Sequence, residues 1–89
     1  MTTYLINYYS NTFKVNHKLE KCIKELSDQC IGVFPNTWFI TTSEIAVHIS
    51  AFLAEAIEKD DQILVTATNG ECSSLGLKNN TIEFLNSYC

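Results

Sequence analysis

The sequence predicts an α+β domain in which two helices pack on one face of a four-stranded antiparallel sheet. Apolar residues change from strand spacing to helix spacing near Val15, and again near Ile45. Turn residues separate these segments. The chain has 89 residues, of which 46% are hydrophobic and 11% aromatic, a composition that supports one small core and excludes a disordered chain. We therefore expect a single domain over residues 1–89.

The first two predicted elements are a strand and a helix. Thr3–Tyr9 is rich in β-forming residues and apolar except near Asn7, as expected for a central strand buried on both faces. A helix is predicted from about Val15 to Gln29, with Asn11 or Thr12 as its start. Its apolar stripe contains Val15, Leu19, Cys22, Ile23, Leu26 and Cys30.

A hairpin is predicted next. The short apolar run Ile31–Phe34 leads into Pro35-Asn36, and a second β-rich run, Thr37–Thr41, follows. Proline fixes its own φ and asparagine tolerates left-handed backbone, so this dipeptide favours a turn. The two runs are therefore expected to pair as antiparallel strands.

A second helix is predicted after the hairpin. Thr41 and Glu44 have the spacing of a capping box, which predicts a start near Thr42 or Ser43, and Asp60-Asp61 is expected to end the helix. The apolar stripe contains Ile45, Ala46, Ile49, Phe52, Leu53, Ala56 and Ile57. His48 lies off this stripe, so we interpret it as a surface residue.

The last part of the chain adds a strand and a short helix. Ile63–Thr68 is predicted to be the fourth strand, Asn69-Gly70 a turn, residues 71–77 irregular, and Thr81–Ser87 a terminal helix. The resulting order βαββαβ is that of ferredoxin-like folds, in which the first and third strands are central. Right-handed crossovers place both helices on one face, so the other face needs a cover. A partner subunit or the C-terminal segment could supply it.

Charge and cysteine usage restrict the function. The 10 acidic and 6 basic residues give a net charge of −4, and every basic residue is a lysine. Without arginine, nucleic acid is a disfavoured partner, although it is left open. The four cysteines form no C-x-x-C pair, so we expect no zinc site and no cofactor. We find no secretory signal and no apolar run of the ~20 residues that span a membrane, and expect a cytoplasmic protein.

Four segments recur in the order and spacing of a known family. They are Tyr4-Leu5-Ile6-Asn7-Tyr8, Thr37-Trp38-Phe39-Ile40, Asp60-Asp61-Gln62-Ile63-Leu64-Val65 and Ser74-Leu75-Gly76-Leu77. Over about residues 3–77 the chain resembles the small bacterial family labelled SinR-like, which is similar to CRISPR-associated adaptation protein two and to virulence-associated protein D. The resemblance implies a ferredoxin-like homodimer. For the better-known relatives it implies a metal-dependent ribonuclease or a scaffold for DNA integration.

One position departs from that pattern. In those relatives the first strand ends in an aspartate thought to hold a divalent metal, and here the matching residue is Tyr9. A phenol does not replace a hard anionic oxygen ligand at neutral pH. We therefore expect a non-catalytic homodimeric interaction module. The alternatives are a metal-dependent endoribonuclease of the virulence-associated protein D type, and a mobile-element protein that inhibits a host defence complex.

The predicted dimer or partner face consists of aromatic residues on the two central strands: Tyr8, Tyr9, Trp38 and Phe39. Strand one is apolar in both parities, so its sequence does not say which set faces the helices. The set that remains would form a patch of a size that monomers seldom expose. A two-fold dimer is the expected cover, and the alternative is that Ile82–Tyr88 folds over this face or swaps onto a partner.

Overall fold

The structure is a computed structural model that describes residues 1–10 and 15–88. Its elements in chain order are β1 (Thr2–Tyr9), α1 (His17–Leu26), β2 (Gln29–Phe34), β3 (Thr37–Thr42), α2 (Ala46–Ala54), β4 (Gln62–Ala67) and α3 (Asn79–Tyr88). The predicted ferredoxin-like order of strands and helices is confirmed. The predicted hairpin is also confirmed, because residues 35 and 36 form the turn between β2 and β3.

The four strands form one antiparallel sheet in the order β2-β3-β1-β4. β1 pairs with β3 (Leu5 opposite Phe39) and with β4 (Leu5 opposite Thr66), so β1 and β3 are the central strands, as predicted. Residues directly opposite each other project to the same face. The register therefore assigns each paired residue to one of two faces. In β2 the register shifts between Gly32 and Phe34, so that Phe34 pairs with Thr37.

The first face, which bears Tyr4, Ile6 and Tyr8, packs against α1 and α2. Ile6 is 0% exposed and lies opposite Trp38 on one side and Val65 on the other. The buried core on this face contains Tyr4, Ile6, Tyr8, Leu19, Ile23, Trp38, Ile40, Ile49, Leu53 and Ala56. This face carries the main hydrophobic core of the domain.

The second face, which bears Leu5, Asn7 and Tyr9, is partly covered by α3 of the same chain. The Thr3 hydroxyl donates a hydrogen bond to the Tyr88 carbonyl, and Leu85 lines a groove whose floor includes Leu5 and Phe39. The side chains that α3 buries are Thr81, Phe84 and Leu85. The sequence left two candidates for covering this face, a partner subunit and the C-terminal segment. In the structure, the C-terminal helix of the same chain covers part of it.

The start of α1 differs from the prediction. The helix begins at His17, and Asn16 is its N-cap, with the side-chain oxygen accepting a hydrogen bond from the Leu19 amide at 2.9 Å. Val15, predicted in the apolar stripe, precedes the helix and is 63% exposed. The predicted starts at Asn11 and Thr12 lie outside the described residues. Cys30, predicted at the helix end, belongs to β2, because the chain leaves the helix at Ser27 and enters the sheet at Gln29.

The limits of α2 also differ. The capping box is wrong: Thr41 belongs to β3, where its hydroxyl accepts from the Gln29 amide at 3.1 Å. Thr42 instead accepts from the Glu44 amide at 3.2 Å, and the helix begins only at Ala46. It ends at Ala54, well before the acidic pair at 60 and 61. None of the helices among the described residues combines the length and apolarity needed to cross a membrane.

Candidate functional site

The four aromatic residues predicted to form a partner face do not share a face. Tyr8 and Trp38 lie in the core under the helices, where they are 5% and 9% exposed. Both belong to the core, and together with Tyr9 they also line an open pocket of about 350 Å³ at the end of β1, so their part in a partner face stays a prediction. Tyr9 is 46% exposed and Phe39 is partly buried, and both lie on the second face. The second face is therefore the surface on which an interaction can be built.

A groove of about 600 Å³ runs across the second face, between the sheet and the C-terminal segment. Leu5 and Phe39 belong to its floor, and Val33 and Phe34 line it from β2. On the other side it is lined by residues 72–75, Leu77 and Leu85. The lining is mostly aliphatic and aromatic, so the groove suits an apolar side chain of a partner better than a charged one.

One cross-strand row lies beyond the cover of α3. It runs from Phe34 through Thr37 and Asn7 to Leu64, and crosses all four strands. The two ends are exposed apolar side chains, Phe34 at 57% and Leu64 at 59%. The centre is polar, because the Thr37 hydroxyl donates to Asn7 Oδ1 at 2.9 Å. We call these four residues the open row.

Leu75 is a further exposed apolar residue beside the open row. It lies in the irregular segment after β4, lines the groove together with Phe34, and is 97% exposed. A leucine that leaves nearly all of its surface in water stabilises nothing in the isolated chain. It therefore leaves an exposed apolar side chain at the edge of the groove.

A polar cluster closes the end of β1 on the first face. The Tyr8 hydroxyl donates to Asp61 Oδ2 at 2.6 Å, and the Asn16 side-chain amide donates to the Tyr8 oxygen at 3.4 Å and to the Ala56 carbonyl at 2.7 Å. Asp61 Oδ2 also accepts from the Glu58 amide at 3.0 Å. The cluster joins the end of β1, the start of α1 and the loop after α2. We interpret it as structural, because its hydrogen bonds link different elements of the fold to one another.

The same end of β1 is where the resemblance implies a metal-binding aspartate. Tyr9 holds that position. Asp61 lies near it through its bond to Tyr8, and Glu20 lines a pocket together with Tyr8 and Tyr9. Within residues 1–10 and 15–88, no group of three or more His, Cys, Asp or Glu side chains is arranged to hold a metal ion.

The histidines lie on the surface, and two cysteines pack against the core, Cys22 from α1 and Cys30 from β2 rather than from the predicted helix. His17 and His48 have 85% and 66% of their side chains exposed, beside Glu20 and Glu44 respectively. Cys22 and Cys30 are half-buried and pack against the core. Surface histidines and core thiols of this kind fit structural or incidental roles.

Sequence reasoning missed the parts played by Asn16 and Leu75. Asn16 was predicted inside the helix, although asparagine before an apolar stripe is a good N-cap signal and could have identified the start. Leu75 carries no comparable signal. Its exposure depends on how the C-terminal segment crosses the sheet, which no local pattern specifies.

Comparison with known proteins adds no assignment. No protein-family model matches the chain, and no curated protein matches it significantly. The resemblance described from the sequence therefore stays a prediction.

Proposed function

We propose that this protein is a non-catalytic homodimeric interaction module whose two copies meet through the second face of the sheet. The open row carries the proposal. Its order is apolar, polar, polar, apolar, from Phe34 through Thr37 and Asn7 to Leu64. This arrangement agrees with the dimer that the family resemblance implies.

The pattern of the open row is complementary to itself. A two-fold axis through its centre reverses the row, which sets Phe34 of one copy against Leu64 of the other. The same rotation sets Asn7 of one copy against Thr37 of the other, on both sides of the axis, where amide and hydroxyl groups can exchange hydrogen bonds. Leu75, beside the row, reaches toward the groove of the second copy. A single symmetric contact thus covers Phe34, Leu64 and Leu75 of both chains.

The expected affinity is moderate. Fully burying a leucine or phenylalanine side chain is worth about 1.5–3 kcal/mol, and these side chains are already partly buried. Association costs roughly 4–15 kcal/mol in lost freedom, so the contributions of both copies leave a small surplus. We therefore expect the dimer to form at about micromolar protein, and to dissociate on dilution.

Residues at the end of β1 support the non-catalytic part of the proposal. A metal-dependent nuclease needs hard anionic ligands to hold the ion that polarises a phosphate. Here the phenol of Tyr9 takes the aspartate position, and Asp61 is bound to Tyr8 and to the Glu58 amide. The six lysines, without arginine, provide little bidentate phosphate recognition. The endoribonuclease alternative is therefore the weaker proposal.

Light scattering tests the dimer through three variants. Wild-type protein at tens of micromolar is expected to show about twice the chain mass of 10.1 kDa. Leu64→Glu places two charges in the contact, and Asn7→Asp retains the acceptor for Thr37 while setting like charges at the axis. Both variants are expected to be monomers, because burying unpaired charge is costly.

The matched control is Val47→Glu. Val47 is 63% exposed, close to the 59% of Leu64, but lies on α2 at the opposite side of the sheet. It is expected to keep the wild-type mass. A wild-type mass near 10 kDa, or a dimer that survives both second-face variants, would contradict the proposal.

Ribonuclease activity is tested separately. Repurified protein incubated with RNA and Mg²⁺ or Mn²⁺ is expected to leave the RNA intact. Metal-dependent cleavage that follows the protein through repurification would replace the proposed function with the ribonuclease alternative.

A further inference from the structure

The exposed residues of α2 are mostly apolar, whereas those of α1 are charged or histidine. In α2, exposed residues other than His48 are apolar: Val47, Ala51, Phe52 and Ala54. Val47 is 63% exposed and Phe52 is 44% exposed, and Ile45, just before the helix, is 55% exposed. A helix that is apolar all round is normally covered on every side. We call these five apolar residues the α2 face.

Carboxylates surround the α2 face. Glu44 precedes the helix and Glu55 follows it directly. Between α1 and α2 lies a cleft of about 460 Å³. Its lining includes Glu25, Asp28, Glu44, His48 and Phe52. The cleft thus joins three carboxylates to the ring of Phe52, which suits a long cationic side chain with an aliphatic stem.

Charge decides against a second copy of this chain as the cover. Two α2 faces packed together, parallel or antiparallel, would bring glutamates at the helix ends close to each other. The other candidate surface is α1 of a second copy, which offers Lys18, Lys21 and Lys24. However, the exposed side chains of α1 are all charged or histidine, and its apolar Cys22 and Leu26 are half-buried, so α1 offers no exposed apolar side chain to match Val47 and Phe52.

Charge also decides against an anionic membrane surface. Such surfaces attract lysine and arginine and repel carboxylates. A face that combines apolar side chains with carboxylates at both ends is complementary to an amphipathic segment that carries apolar residues on one side and cations at its margins.

We propose that the α2 face and the adjoining cleft bind a basic amphipathic helix of another protein. Apolar residues of that helix cover Val47, Ala51 and Phe52. A lysine or arginine from it enters the cleft and pairs with Glu25, Asp28 or Glu44. This site lies on the opposite side of the sheet from the proposed dimer contact and is independent of it.

The test uses a fluorescent synthetic helix with leucine along one side and lysine along the other, and follows its anisotropy as full-length protein is added. We expect saturable binding. Phe52→Ser and Ala51→Lys are each expected to weaken it by roughly tenfold, because one removes an aromatic contact and the other repels the peptide. A peptide of the same pattern with glutamate in place of lysine is expected not to bind.

A matched pair of double variants separates the cleft from general negative charge. Glu25→Gln with Glu44→Gln removes two charges at the cleft, and Glu71→Gln with Glu83→Gln removes two exposed charges elsewhere. The first pair is expected to weaken binding by about tenfold, and the second by less than about twofold.

Three results would overturn the proposal. The first is that both double variants weaken binding equally, which would indicate diffuse attraction. The second is that the lysine peptide does not bind the wild-type protein. The third is that Phe52→Ser or Ala51→Lys changes the mass measured by light scattering, which would mean that a second copy covers the α2 face.

Discussion

The two faces of the sheet use the same strand in opposite ways. On β1, Tyr4, Ile6 and Tyr8 are at most 6% exposed under two helices. Their neighbours Leu5, Asn7 and Tyr9 point to the second face, where α3 covers only part of the surface. The first face makes the domain stable, and the second face leaves a patterned surface. Both sets of β1 side chains look suitable for a core, and only the cover that each face receives distinguishes them.

Ile6→Ala against Leu5→Ala gives the largest expected contrast between the faces. Ile6 is 0% exposed, so its truncation leaves a cavity in the core and is expected to lower the free energy of unfolding by about 2–5 kcal/mol. Leu5 is partly exposed at the floor of the groove, and its truncation is expected to cost about 1 kcal/mol. Urea unfolding of both variants measures the contrast. Equal losses would show that the second face is packed as tightly as the first.

Tyr8→Phe against Tyr4→Phe compares two buried hydroxyls on the first face. The Tyr8 hydroxyl donates to the Asp61 carboxyl at 2.6 Å, and the Tyr4 hydroxyl donates to the Glu44 carbonyl at 2.9 Å. Hydrogen bonds to charged groups are worth about 1.5–3 kcal/mol, and ordinary ones about 0.5–1.5 kcal/mol. Tyr8→Phe is therefore expected to destabilise more in urea unfolding. If Tyr4→Phe destabilised the protein more than Tyr8→Phe, the hydrogen bond to Asp61 would not be the stronger of the two.

The order and pairing of the elements were predictable from the sequence, and the helix limits were less so. The strands follow from β-forming runs and from Pro35-Asn36, because these signals are local. The capping box failed because Thr41 was drawn into β3, where pairing with β2 satisfies its backbone. Val15 fits the helical period but lies before the N-cap. The spacing of apolar residues indicates a helix but does not show at which residue the helix begins.

The candidate site was predictable only in part. The second-face residues Tyr9 and Phe39 were identified, but Tyr8 and Trp38 were grouped with them. Tyr8 and Tyr9 are adjacent in the strand and therefore point to opposite faces. When both sets of alternate residues are apolar, the sequence does not show which face packs against the helices. Phe34 and Leu64 were not singled out. They lie at the two ends of one row only because of how the four strands pair.

Thr3→Val gives a smaller effect confined to the second face. It removes the hydrogen bond from the Thr3 hydroxyl to the Tyr88 carbonyl, which ties the end of α3 to β1. The loss is expected to be about 0.5–1.5 kcal/mol. Hydrogen exchange is expected to speed up at the amides of α3 while those of β1 keep their protection. Faster exchange in β1 as well would show that α3 and the sheet open as one unit.

Contacts between copies at the open row provide the most direct test of the account. A sample mixed from labelled and unlabelled protein, held above the dissociation constant, allows nuclear Overhauser effects between chains to be selected. The account predicts such effects between the Leu64 methyl groups of one copy and the Phe34 ring of the other, and their loss in Asn7→Asp. Effects between chains that involve Val47 or Phe52 and spare the open row would contradict it.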